Sequence, residues 1–190
     1  MNQLHDFFAR WVPRKSRAKL WDKPVTDVLS VHPRTFEITC AAFAGTRVQR
    51  LECGLFWYGK KLQIGAVEVA AIVVPKQRNY EGFYLVEGDA IEEMSDHTRG
   101  SGWINLAQVH THPSAWVGHS TYDDEHTNSR NALSIVMPHY GKPATDWFKV
   151  IGVHEFLDKR WRHLTLQRAR QRIQFDPNCT PPKFIDLRVL

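Results

Sequence analysis

The sequence predicts an α/β (α+β) domain, a mixed β-sheet flanked by helices. Three observations carry this reading. β-rich runs at CGLFWYG (53–59), LQIGAVEVAAIVVP (62–75), WINLAQVHTHP (103–113), LSIVMP (133–138) and WFKVIGVHEF (147–156) are bounded by Gly, Pro and polar clusters. Stretches with helical spacing or helix start and stop residues fall between them, at 33–45, 89–102 and 121–132. The two kinds mix without the strict alternation of a purely parallel sheet.

Taken in order, residues 1–20 are a basic N-terminal segment. Leu4, Phe7, Phe8 and Trp11 sit there at helical spacing before Pro13, as in a short amphipathic helix that docks on the domain or on a partner. PRTFEITCAAFAG opens a helix at Pro33 and closes it at Gly45, with Phe36, Cys40 and Phe43 on one face. The first two β-rich runs are joined by a turn at Gly59-Lys60-Lys61. YEGFYLVEG (80–88) is a further strand or edge segment. DAIEEMSDHTRGSG (89–102) is a helix ending at glycine, and TYDDEHTNSRNA (121–132) is polar and helical. LTLQRARQRIQF (164–175) reads as a basic helix, or as a strand with a tail, before the loop PNCTPPK. The domain is expected over 21–164, with 165–190 as a basic C-terminal extension.

Length and composition fit one domain with a real core: 190 residues, 43% hydrophobic and 12% aromatic. No run of eighteen apolar residues suits a membrane helix, and the start lacks the order of a secretory signal. A cytoplasmic protein with no membrane partner is the expectation. Cys40, Cys53 and Cys179 form no CxxC pair and read as reduced, buried thiols. The formal charge of +5 lies at the two ends and leaves the middle slightly acidic. A nucleic-acid binder needs a continuous basic face, so none is expected here. The basic ends are either solvated or touch an acidic partner.

VHTHPSAWVGHSTYDDEH (109–126) holds four of the chain's ten histidines and three carboxylates. His110 and His112 are two apart on a strand, so both imidazoles point to one face and can share one ion. Pro113 ends the strand. Ten residues later Asp123 can return a carboxylate to the same place. Two nitrogens and one oxygen leave a fourth position for water, the pattern of a catalytic zinc rather than a structural one. Such a hydrolase needs a proton carrier, and Glu52 in RLECGLF is the best candidate. It lies at the mouth of an apolar strand, where a lone carboxylate is costly.

Plainer readings stand beside these. The histidines can be satisfied polar residues near a sheet edge. Ser120-x-x-Asp123 also fits a helix capping box. Glu52 can pair with Arg47 or Arg50, and Asp124 competes with Asp123 as a ligand. Trp116 is either a wall of the substrate groove or a loop anchor. His119 is either a substrate contact at the mouth or a solvated histidine. Cys53 with a nearby histidine invites a cysteine-protease reading, but its strand context favours a core thiol.

The spacing His110-x-His112-Pro113-x6-Ser120-x-x-Asp123, with Glu52-Cys53-Gly54-Leu55 upstream, resembles the JAMM (MPN+/JAB-domain) metalloproteases, above all the bacterial branch. The likeness spans about residues 30–157. It implies the JAB/MPN (cytidine-deaminase-like) architecture and one Zn2+ on His110, His112 and Asp123. It further implies Ser120 as an oxyanion helper and Glu52 as the group that activates water. The usual reaction is hydrolysis of a peptide or isopeptide bond after the C-terminal tail of ubiquitin or a ubiquitin-like protein. Bacterial relatives accompany such modifiers and E1-like and E2-like enzymes, often in antiphage defence operons. The stretch 62–106 has no clear match to the insertion that clamps ubiquitin in eukaryotic members, which leaves the substrate open. Two alternatives remain: a metal-free MPN-type scaffold, which would usually lack the full ligand set, and a zinc amidohydrolase acting on a sulfur-carrier protein.

Overall fold

The computed structural model describes residues 27–63, 65–127, 129 and 131–189. The expected N-terminal helix of residues 1–20 lies outside the described residues. The elements are β1 (Val28–Val31), α1 (Arg34–Ala42), α2 (Ala44–Gln49), β2 (Gly54–Gln63), β3 (Ala66–Val74), β4 (Arg78–Asn79), β5 (Tyr84–Leu85), α3 (Gly88–Arg99), β6 (Ile104–Thr111), α4 (Thr121–His126), β7 (Leu133–Met137), β8 (Gly152–Leu157), β9 (Arg160–His163), α5 (Leu166–Arg172), β10 (Ile173–Phe175) and β11 (Lys183–Asp186). Short 3-10 turns lie at Trp147–Lys149 and Leu187–Val189.

One mixed sheet of nine strands organises the chain, in the order β10-β1-β3-β2-β6-β7-β8-β9. β11 also pairs with β3, along the half of that edge which β1 leaves open. β4 and β5 form a separate two-stranded ribbon. Alternation along β2 shows how the layers form. Leu55 and Trp57 enter the main core, where Phe36 of α1 meets Trp57 edge-on at 5.1 Å and stacks on Trp147 at 5.0 Å. Phe56 and Tyr58 face the other way, into a smaller core with Met94 of α3 and Leu187. The α/β class and the mixed, helix-flanked sheet are therefore as expected.

Five local expectations change. The helix expected over 121–132 stops at His126, and the strand expected over 147–156 begins only at Gly152, after the 3-10 turn at Trp147–Lys149. Lys60 and Lys61 are not a turn: β2 runs through them, paired with Glu68 and Val67 beyond a bulge at Tyr58/Gly59. Chain reversal comes at Gly65, at φ +87. Gly45 does not close a helix. α1 ends at Ala42 with the buried Phe43 as its C-cap, and Gly45 lies inside α2. The stretch 165–190 is not an appendage, because it supplies α5 and two strands of the sheet. Thr165 caps α5 by accepting from the Arg168 N–H at 3.3 Å. The buried Arg172 then reaches Glu155 of β8 at 3.0 Å and the Asp27 carbonyl. Cys40, Cys53 and Cys179 are free and buried. Among the described residues no helix is long and apolar enough to cross a membrane.

Arg172→Leu strands Glu155 as a buried, unpaired charge and should lower unfolding free energy by about 3–5 kcal/mol. Urea unfolding checks this. A loss within about 1 kcal/mol, the scale of a surface pair, would mark the C-terminal segment as peripheral.

Candidate metal centre

The site grows from one antiparallel register. Gly54 of β2 pairs with His110 of β6, and the Thr111 N–H donates to the Cys53 carbonyl at 3.1 Å. Carried one step on, this register sets Glu52 across from His112. Residues directly opposite one another share a face. Glu52, Gly54, His110 and His112 therefore all point to the same side of the sheet. His112 lies just past the end of β6 but keeps the ladder going, its N–H donating to the Met137 carbonyl at 2.8 Å.

Asp123 arrives from α4. Ser120 is the helix N-cap: its Oγ accepts from the Asp123 N–H at 3.1 Å, and its own N–H donates to Asp123 Oδ2 at 2.7 Å. The capping box and the ligand reading are thus one arrangement, since the cap fixes the carboxylate that turns toward the histidines. The Ser120 hydroxyl also donates to Asp123 Oδ2 at 2.7 Å. His110 Nε2 lies 3.2 Å from Asp123 Oδ1, and His112 Nε2 lies 3.2 Å from Oδ2. The two Nε2 atoms are 3.3 Å apart. All three residues are buried.

This donor set fits a cation. His112 Nδ1 faces the Trp116 carbonyl at 3.1 Å. A carbonyl only accepts, so Nδ1 carries the proton and the Nε2 lone pair points inward. Donor atoms of His110, His112 and Asp123 then converge where little water reaches, and they repel unless a positive charge sits among them. Without metal a proton serves. Burial pushes the His112 pKa down, but the Asp123 hydrogen bond and charge, with Glu52 and the Trp116 carbonyl, outweigh it and leave it raised. The same histidines overcome the burial of Asp123 and hold it far below the carboxylate range. The group His110, His112 and Asp123 can hold a metal ion.

Glu52 is 4% exposed. Burial pushes its pKa up to about 7; His112 opposes the rise and Asp123 adds to it. It makes no ion pair with Arg47, which donates to the Cys40 and Gly141 carbonyls instead. Asp124 is committed elsewhere, with Oδ1 2.9 Å from His119 Nδ1. His119 is not a mouth residue. Its side chain is 5% exposed, its Nε2 meets Ser134 Oγ at 2.8 Å, and its ring stacks on His154 at 4.0 Å. It supports the site from behind, 6.0 Å from the His110 ring. Trp116 is 55% exposed and stacks on His112 at 5.2 Å, so it is both rim and anchor. Burial raises the Cys53 thiol to about 11, which leaves it inert.

Several supporting residues carried no pattern in the sequence. Asn79 donates to the Glu52 carbonyl at 2.7 Å, and the Glu52 N–H donates to the Tyr80 carbonyl at 2.7 Å. Gln77 clamps both backbone groups of Gly54. Tyr84 packs 5.9 Å from His110 over Gly54, where a Cβ would lie 2.1 Å from the Tyr84 ring. Only the Glu-Cys-Gly run hinted at such crowding.

No family model matches the chain, and no curated protein matches it. Among solved structures it is similar to a protein from Desulfitobacterium hafniense, with TM-score 0.61 and 12% identity over 80% of this chain and 95% of that one. It is also similar to a protein from Salinibacter ruber (strain DSM 13855), with TM-score 0.55 and 16% identity over the same shares. At these identities the likeness is one of fold alone.

Glu52 gives a signed pH test in metal-free protein. Its folded pKa, about 7, exceeds its ordinary 4.5. The native state therefore holds the proton that the unfolded chain releases, and stability falls as pH rises between those values. Glu52→Gln should match wild type at pH 4 and exceed it by about 2–3 kcal/mol at pH 8. A gap that stays constant with pH would show that Glu52 ionises freely.

Proposed function

We propose that the chain is a zinc-dependent peptidase of the JAMM (JAB/MPN) class, cleaving the bond after the C-terminal tail of a ubiquitin-like protein, in a precursor or a conjugate. The observation that carries this reading is the buried convergence of His110, His112 and Asp123 with Glu52 on the same face. Two nitrogens and one carboxylate are the ligand set of zinc sites that keep an open position. Zinc held there supplies Lewis acidity, acidifying water and polarising a carbonyl.

The chain's own residues do the rest. Glu52 titrates near neutrality, which suits a group that takes a proton from water and returns it to the leaving nitrogen. Trp116 fixes the His112 tautomer through its carbonyl and forms part of the rim through its ring. The Ser120 hydroxyl donates to Asp123, so in the oxyanion role it turns that proton toward the substrate carbonyl. A cytoplasmic setting, in which the three buried thiols stay reduced, belongs to the same proposal. So do E1-like and E2-like partners, since conjugates need enzymes to make them.

The test is a panel of ubiquitin-like and sulfur-carrier proteins, each fused at its C-terminus to a reporter. Wild type should cleave a ubiquitin-like fusion and stop when a chelator is added. Glu52→Gln should lower turnover by a factor of about 100 to 10,000. Cleavage that survives chelation would remove the metal from the reaction. Full turnover in Glu52→Gln would remove the proton role.

A further inference from the structure

The loop that follows His112 has a second side. Ala115 and Val117, on either side of Trp116, form one wall of a groove of about 430 Å³. Gly152 lets this loop lie directly on β8, since a Cβ there would sit 2.1 Å from the Val117 carbonyl oxygen. The groove is mainly apolar, lined by Phe148, Val150, Ile151 and Val153 and by Leu164 and Leu166. Leu166 is 44% exposed.

Its rim is cationic. Lys149 lines the groove, and the Arg170 guanidinium lies 5.8 Å from the Phe148 ring centre. Lys149 and Arg170 share a single carboxylate, Asp146, at 3.3 and 3.4 Å. Two cations against one anion leave a net positive rim. β9, whose His163 also lines the groove, is the last strand of the sheet and is paired on one side only among the described strands. A free edge beside an apolar groove suits an extended peptide.

We propose that this groove binds an acidic peptide segment of a partner protein, with one or two large apolar side chains in the groove and its carboxylates on Lys149 and Arg170. The charge sign argues against the chain's own N-terminal segment as occupant, because residues 1–20 carry Arg10, Arg14, Lys15, Arg17 and Lys19 against Asp6 alone. Opposite charge around a buried apolar anchor gives both steering and affinity. Binding here is independent of the reaction at the metal centre. It would hold a partner against the back of the loop that carries Trp116.

The experiment is fluorescence anisotropy on the full chain with a labelled peptide, Glu-Asp-Phe-Glu-Leu-Asp-Glu-Gly. The expected result is saturable binding that weakens as salt rises. A peptide with Lys in place of each acid, or Ala in place of Phe and Leu, should fail to bind. Lys149→Glu combined with Arg170→Glu should weaken binding by about tenfold or more. Leu166→Ser should weaken it with no change of charge. All three sites are exposed, so unchanged thermal midpoints should accompany these losses. Equal binding by the Lys peptide, or by the double variant, would overturn the proposal. Peptide binding that appears only after removal of residues 1–26 would assign the groove to the chain's own terminus. Oligonucleotide binding lost in the double variant, with no peptide binding, would assign the rim to nucleic acid.

Discussion

Gly54 faces His110 across β2 and β6, and the antiparallel ladder carries that pairing on to Glu52 and His112. Side chains on paired strands alternate strictly, so this register decides whether the buried Glu52 carboxyl and two imidazoles meet at all. A slip of one residue would send Glu52 to the opposite face and leave the histidines alone. The register is held by more than the ladder. Cys53 N–H donates to Thr111 Oγ1 at 3.0 Å, and Gln77 grips Gly54 through both ends of its amide. Tyr84 then fills the space that Gly54 leaves open and closes the site over His110.

Burying so many ionisable groups together has an electrostatic cost, and the structure divides it by sign. Asp123 keeps its charge because two imidazoles and the Ser120 N–H face it. Glu52, without such donors, is pushed toward its neutral form by burial. His154, buried behind His119, is pushed down to about 2 by burial and by its histidine neighbours, against a backbone hydrogen bond at Ser134, and stays neutral. A column of neutral rings thus backs the one place where positive charge is stabilised. This contrast between adjacent groups supports the proposed chemistry at the site.

Much of this was legible in the chain itself. The i, i+2 histidines ending in proline, the Ser-x-x-Asp cap and the helix of residues 88–99 are local patterns, and local patterns read directly. The choice of Asp123 over Asp124 follows from the Ser-x-x-Asp spacing; what the sequence does not show is that His119 holds Asp124 away, a contact set by its packing on Ser134 of β7 and His154 of β8. The same packing draws His119 inward, although its loop position reads as exposed. Lys60-Lys61 looked like a turn because exposed strand ends are as polar as loops. The C-terminal segment was set apart for its charge, while its strands are only three and four residues long and pair with β1 and β3, far away in sequence. Such short strands carry too little alternation to be seen alone.

The fold likeness to proteins of 12% and 16% identity supports the architecture and says nothing of chemistry. That burden rests on three donor atoms and the charge they require. The most direct test is zinc per chain by elemental analysis, on wild type and on His112→Ala after identical purification and zinc reconstitution. The account predicts about one zinc in wild type, as an open three-ligand site holds, and none retained by His112→Ala. Wild type that binds no zinc under these conditions, or His112→Ala that binds as much as wild type, would contradict it.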